Sequence, residues 1–227
     1  MILSIETSTN VCSVALHNNG NLVASQEIFG EQTHAGMLTV MIDNLLQQTQ
    51  TQKNQLLGVA VSHGAGSYTG LRIGSSTAKG LCFGLDIPLF AVATLEAMAL
   101  QVAEIAENML DTSNILLCPM IDARRMEVYT ALYTIDLQEI SKIEALVITP
   151  QSFENWIEKY KIVYFGNGAA KCKNTLQHPN FVYIDNIATS ARTIGKLAHL
   201  KPQKVDTIYY ESLYLKEYEA KISTKKL

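Results

Sequence analysis

The chain has 227 residues, 48% of them apolar and 17% charged, with a net charge of −3. That is enough for one large domain or two small lobes around a buried core, and it excludes a global electrostatic attraction to nucleic acid or to an anionic membrane, leaving only local patches. Cys12, Cys82, Cys118 and Cys172 form no C-x-x-C pair, which reads as buried thiols in a reducing compartment and not as a zinc site or a disulfide frame.

MILSIETSTN lacks the basic opening of a secretory leader, and the most apolar window, Leu85 to Ala103, is broken by Asp86, Pro88 and Glu96. The expectation is a cytoplasmic protein with no membrane span. Lys221, Lys225 and Lys226 read as a solvated tail.

Ile2 to Glu6, Val11 to His17 and Leu22 to Phe29 read as strands, with a hairpin turn at HNNGN. Thr33 to Gln48 carries Met37, Leu38, Met41, Ile42, Leu45 and Leu46 at helical spacing. A strand over Leu57 to Ser62 runs into HGAGSYTGLRIGSSTAKG, and a helix follows from Gly70 to about Phe83 with Thr69 as its cap. IPLFAVAT adds a strand, and Leu95 to Asn108 a helix.

The pattern then restarts. IETSTNVCSVAL and IDARRMEVYTAL align without a gap, each with Ile, an acid, a short turn and a strand ending in Ala-Leu. A strand at Ala145 to Thr149, a helix at Ser152 to Lys159, a strand at Ile162 to Gly166 and a helix at Ala191 to Leu200 follow. The expectation is an α/β protein with a duplicated βββαβα plan, lobes over residues 1–110 and 111–227, and a boundary near Asp111 to Asn114.

The glycine-rich stretch fails three enzyme patterns on spacing. It is not G-x-x-x-x-G-K-[ST], since Lys79 comes too late; not G-x-G-x-x-G; and not G-x-S-x-G. A structural turn fits better: Gly64 and Gly66 permit a tight strand-to-helix connection, with Ser67, Thr69 and Arg72 beside it. Gly70 and Gly74, and again Gly80 and Gly84, lie four apart on the helix. So smooth a helix is expected to let another backbone approach closely, and to form a docking face if apolar surface is also exposed.

Glu6 and Asp122 end equivalent strands, where they either hold a metal-nucleotide between lobes or cap their own turns, Asp122 pairing with Arg124 and Arg125. Gly166 and Gly168 in FGNGAAK could meet an adenosine. His17, His34, His63, His178 and His199 include no H-x-x-x-H pair and read as partly exposed polar residues; no metal site is expected.

ILSIETSTNVCSVAL, GAGSYTGLRIGSSTAKGL, IDARRMEVY and SLYLKE resemble, in this order, the TsaB (YeaZ) family, also called glycoprotease-like. The resemblance implies a two-lobed fold of the actin, sugar-kinase and Hsp70 type, ribonuclease H-like in each lobe. It implies a non-catalytic role in making N6-threonylcarbamoyladenosine at position 37 of tRNAs that read ANN codons. The partners implied are TsaD, the homologous catalytic subunit that holds its metal with an H-x-x-x-H pair; TsaE, a P-loop ATPase; and a second copy of the chain, with tRNA reached only through the complex.

No cofactor is implied for this chain beyond a weak ADP or ATP site at the interface with TsaD. By the resemblance, docking uses Thr33, His34, Met37, Leu38, Met41 and Leu45 on the first helix and Gly70, Ile73, Gly74, Thr77 and Leu81 on the second. Ala65 stands where the family usually has Pro, Met126 where it has Gly, and Lys216 where it has Arg, which removes bidentate geometry from the tail. The alternatives from other classes are an ATP-dependent phosphotransferase using Glu6 and Asp122, a peptidase, and a tRNA-binding module.

Overall fold

Three strands open the structure, a computed structural model that describes residues 1–30, 34–106 and 114–216. Thr33, the helix end at Asn108, the boundary at residue 110 and the basic tail lie outside these residues. β1 (Ile2–Glu6), β2 (Val11–Asn18) and β3 (Asn21–Phe29) form an antiparallel meander. Asn19 and Gly20 turn the hairpin with φ of +48° and +79°, the left-handed pair that matches strand twist.

α1 (His34–Gln48), β4 (Gly58–Gly64), α2 (Tyr68–Leu85), β5 (Leu89–Ala93) and α3 (Thr94–Ala106) follow. Ser67, not the expected Thr69, caps α2, its hydroxyl accepting from Gly70 N at 3.3 Å. The helix therefore starts two residues early, and Thr69 sits inside its first turn. The second half is β6 (Ile115–Asp122), β7 (Glu127–Thr130), β8 (Glu144–Val147), α4 (Glu154–Ile157), β9 (Lys161–Phe165), β10 (Phe181–Ile184), α5 (Ala191–Leu200) and β11 (Lys204–Val205).

The sheets run β11-β5-β4-β1-β2-β3 and β10-β9-β6-β7-β8. In each, the first strand of the half pairs antiparallel with the second and parallel with the fourth. This is the ribonuclease H-like order 3-2-1-4-5, present twice, so the gapless internal repeat reports a real duplication. Each half carries a fifth strand beyond the expected βββαβα, and β10 was not anticipated.

The second copy has eroded. Where a helix over Ser152 to Lys159 is expected, only the one-turn α4 forms, because Thr149 N donates to the Ser152 hydroxyl and Phe153 takes φ +70°, delaying entry. A single 3-10 turn at Ala170–Cys172 stands where α2 stands in the first copy.

α3 is buried on two sides. Leu95, Met98, Val102 and Ala103 pack with Leu117, Tyr133 and Phe165 of the second half, while Ala97 and Leu100 pack with Ala60, Val92 and α5 residues Ile194 and Leu197. α5 returns to the first sheet: Ala191 N donates to Ser13 Oγ at 2.9 Å, and the Thr9 and Thr189 hydroxyls bond at 2.8 Å. Gly195 lies so close to His17 that a Cβ would come within 2.1 Å of Nδ1. β11 then pairs antiparallel with β5. From residue 191, within the span 111–227 expected for the second lobe, the chain is thus back on the first sheet.

The four cysteines are free and buried, and burial pushes the thiols of Cys12 and Cys82 up to about 11 and that of Cys118 up to about 12. No helix among the described residues is long and apolar enough to cross a membrane.

Candidate functional site

The glycine-rich turn is occupied by the chain itself. Gly64 has φ +119°, a conformation that a side chain resists, and faces Leu213 O of the C-terminal segment. Gly66 lies under Ser8: a Cβ there would meet Ser8 O at 2.4 Å, and Ser67 N donates to that oxygen at 2.6 Å. A Cβ on Gly70 would stand 2.0 Å from Thr7 O, and one on Gly74 2.2 Å from Thr7 Oγ1. The Thr7 hydroxyl donates to Gly70 O at 2.9 Å. The backbone that these glycines admit is therefore the turn after β1, not the docking partner expected for Gly70 and Gly74. Arg72 is exposed, lying over the Tyr68 ring and donating to its hydroxyl at 2.9 Å.

The remaining residues expected at a docking face divide by orientation. Leu38, Met41 and Leu45 are core residues of the first sheet, and His34 is buried. Met37 is exposed, and Ile73, Thr77 and Leu81 are half-buried. Beside them lie residues not singled out as docking residues: Val40 at 46% exposure, Phe83 at 78%, and Gly80 and Gly84, which have no neighbouring atom within 4 Å of a Cβ. The four-residue spacing of Gly80 and Gly84 is the signal that marks this outer face. Its apolar members stand on two adjacent helices, with glycines where a partner's backbone could approach.

The C-terminal segment ties this region to the second half. The Lys79 ammonium donates to Ile208 O at 2.9 Å and Tyr210 O at 3.1 Å, Leu213 N donates to His63 O at 2.7 Å, and the Tyr214 ring packs against that of Tyr68, centroids 4.8 Å apart and planes tilted by 50°. Leu215 enters the cluster containing Ala65, Leu95, Met98 and Phe165. Lys216 ends the crossing, donating to Ala123 O at 3.3 Å and pairing with Glu127. All of these contacts except that of Leu215 with Phe165 span more than 80 residues of sequence, so no local pattern announces them.

The four residues expected to line a nucleotide cleft do not form one. Glu6 is fully buried, and its carboxylate accepts from Ser8 N at 2.5 Å. The hydroxyls of Ser8 and Ser62 lie beside it, but neither they nor Glu6 Oε2 completes a well-aligned hydrogen bond within the chain. Burial pushes the carboxyl up to about 7 against the smaller opposing pull of these neighbours. Asp122 is exposed and pairs with Lys171, not with the side chains of Arg124 and Arg125.

Gly166 packs on Met120 O and on the Met98 side chain, which stands 2.7 Å from the place of a Cβ. A Cβ on Gly168 would meet Asp122 N at 2.9 Å, and Asn167 Oδ1 accepts from that nitrogen at 3.0 Å. Gly168 and Asp122 are brought together; Glu6 belongs to a separate buried cluster. Residues of α3 and Leu215 pack in one apolar cluster with Ala65 of the first half and Ala123 of the second.

Two histidines depart from expectation. His17 is buried with Nδ1 3.4 Å from the Ser4 hydroxyl, and burial lowers its pKa; His34 is buried with Nε2 unpartnered. No group of three or more His, Cys, Asp or Glu side chains among the described residues could hold a metal.

Comparison with known proteins identifies the family. A family model described as TsaD, tRNA N6-adenosine threonylcarbamoyltransferase, matches residues 29–217. The tRNA threonylcarbamoyladenosine biosynthesis protein TsaB of Haemophilus influenzae is 38% identical over 56% of this chain and 51% of its own length. The TsaB protein of Buchnera aphidicola subsp. Acyrthosiphon pisum is 30% identical over 82% and 84%. The matches to the Haemophilus and Bacillus subtilis proteins span about half of those relatives. The structure of YeaZ from Pseudomonas aeruginosa superposes with a TM-score of 0.79 at 24% identity, covering 94% of this chain and 99% of that one.

Proposed function

The chain belongs to the family described as TsaD, tRNA N6-adenosine threonylcarbamoyltransferase, and within it to the TsaB (YeaZ) group, and from this premise we propose that it is a non-catalytic subunit that docks and supports the TsaD transferase. In this reading it acts in making N6-threonylcarbamoyladenosine at position 37 of tRNAs reading ANN codons. The same helical face serves a homodimer, TsaE joins the assembly, and tRNA meets the chain only within the complex. A weak ADP or ATP site belongs at the interface with TsaD.

The observation that carries this reading is the outer face of α1 and α2. Met37, Val40 and Phe83 are exposed there, beside two glycines with open space above them. A helix pays for glycine in stability, about 1 kcal/mol relative to alanine, and no contact within the chain offsets that at Gly80 or Gly84. A partner's backbone lying against them would. The buried Glu6 and the packed Gly166 favour this reading over a phosphotransferase, which needs its acids and its adenosine loop facing an open cleft.

Gly80→Leu tests it. Leucine is a better helix former than glycine, and a Cβ at this position has open space around it. The variant should fold with an undiminished melting temperature yet fail to co-purify with TsaD. Co-purification at the wild-type level would overturn the docking assignment.

A further inference from the structure

The turn between β6 and β7 carries more charge and more strain than a connection requires. Arg124 and Arg125 have φ of +71° and +47°, consecutive left-handed positions where glycine or asparagine is the usual occupant. Both side chains are exposed, and neither guanidinium has a hydrogen-bond or ion-pair partner among the described residues. Asp122, the acid nearest in sequence, is engaged by Lys171 and by Arg124 N at 3.1 Å. Consecutive left-handed residues also turn the hairpin at Asn19–Gly20; what a turn built only to connect strands would not carry is two arginines at such positions, and strain held at an exposed functional group is a common mark of a binding element.

Two lysines converge on the same turn. Lys171 also donates to Glu127 O at 2.7 Å, and Lys216 to Ala123 O at 3.3 Å while pairing with Glu127. With Asp122 and Glu127 each neutralising one lysine, the two arginines remain as a local positive charge on a chain whose net charge is −3.

The chemistry of the turn selects the ligand. Ala123 N, Arg124 N and Glu127 N are already bonded, to Glu127 O, Asp122 Oδ1 and Arg124 O, which leaves the amides of Arg125 and Met126 beside the two guanidinium forks as the groups an anion would meet. A small nucleotide binds in an enclosing cleft, whereas two exposed arginines on a hairpin tip suit a polyanion that approaches from one side. Arginine forks match phosphate oxygens in pairs.

We propose that the Arg124–Arg125 turn contacts the phosphate backbone of the tRNA held by the complex. This rests on the function proposed above and adds a direct RNA contact made by this chain.

The test replaces both residues by those that suit left-handed backbone, Arg124→Asn with Arg125→Gly, which removes the charge without imposing new strain. A tRNA transcript is titrated with the assembled TsaD complex over a range of KCl concentrations. The double variant should bind about tenfold more weakly at moderate salt, and the salt slope should fall by about one per arginine. Assembly on size exclusion should be unchanged and the melting temperature no lower than that of the wild type, and Arg124→Lys with Arg125→Lys should recover most of the slope.

Unchanged affinity and slope would overturn the proposal. So would loss of assembly by the double variant, which would assign the turn to an acidic protein surface. If the wild-type chain does not assemble with TsaD, the functional reading fails separately. The same titration on the chain alone then decides: salt-dependent binding lost in the double variant supports the contact, and equal or absent binding in both overturns it.

Discussion

Glu6 is a carboxyl without water and with an incomplete set of partners. Its folded pKa of about 7, against 4.5 for an exposed glutamate, means that the folded chain binds this proton more tightly than the unfolded chain. The sign follows: the contribution is fully present below the unfolded value, declines as pH rises from 4.5 towards 7, and is lost above the folded value. At about 1.4 kcal/mol per pH unit, the loss amounts to about 3 kcal/mol.

Glu6→Gln keeps an oxygen for Ser8 N and gives the Ser8 and Ser62 hydroxyls a donor to accept from. Denaturant titrations should find the variant close to wild type near pH 4.5 and more stable by about 3 kcal/mol near pH 8. Parallel stability curves for the two proteins would remove Glu6 as the titrating group. Glu6 and Asp122 occupy equivalent strand ends, as the aligned IETS and IDAR boxes indicate, yet one is buried and the other exposed. Burial is decided by elements distant in sequence, which is why position was legible and environment was not.

At the scale of elements, α2 carries two classes of glycine that look alike in the sequence. Gly70 and Gly74 are pressed against Thr7, whereas Gly80 and Gly84 face open space. Gly74→Ala would force a Cβ to 2.2 Å from Thr7 Oγ1, and a clash of that kind in a packed interior costs about 1–3 kcal/mol. Gly80→Ala should instead stabilise by about 0.5–1 kcal/mol, through helix propensity alone. Thermal melts of the two variants should therefore shift in opposite directions, and a shared direction would contradict this division of the helix. The four-residue spacing of both glycine pairs was legible in the sequence. Only the structure tells that the first pair is met by the turn after β1, because Thr7 is 63 residues away from Gly70. Strands and helices with strong periodicity, such as α1 and α5, were legible to within a residue or two. α4 and β10 were not, being four residues each and set by Ser152, Phe153 and sheet pairing.

The whole molecule is two copies of one plan that no longer behave as two bodies. α3 gives Met98 and Val102 to the second half and Ala97 and Leu100 to the first, so separating the halves would expose apolar surface on both sides of one helix. α5 and β11 cross back to the first sheet, and the segment from Leu213 to Lys216 bonds His63 at one end and Ala123 at the other. A sugar-kinase-like machine needs its lobes to swing about a hinge; here Met98, Ala65 and Leu215 pack in one apolar cluster with Leu117 and Phe165 of the second half. Interfaces this apolar couple unfolding, since neither half can retain its core once the other has opened. Scanning calorimetry of the isolated chain should therefore give a single transition whose calorimetric and van't Hoff enthalpies agree. Two resolved transitions would mean that the lobes unfold separately and that the packing around α3 contributes less than its burial implies. Packing of this kind fits the subunit proposed above, one that presents the α1–α2 face and the arginine turn to its partners.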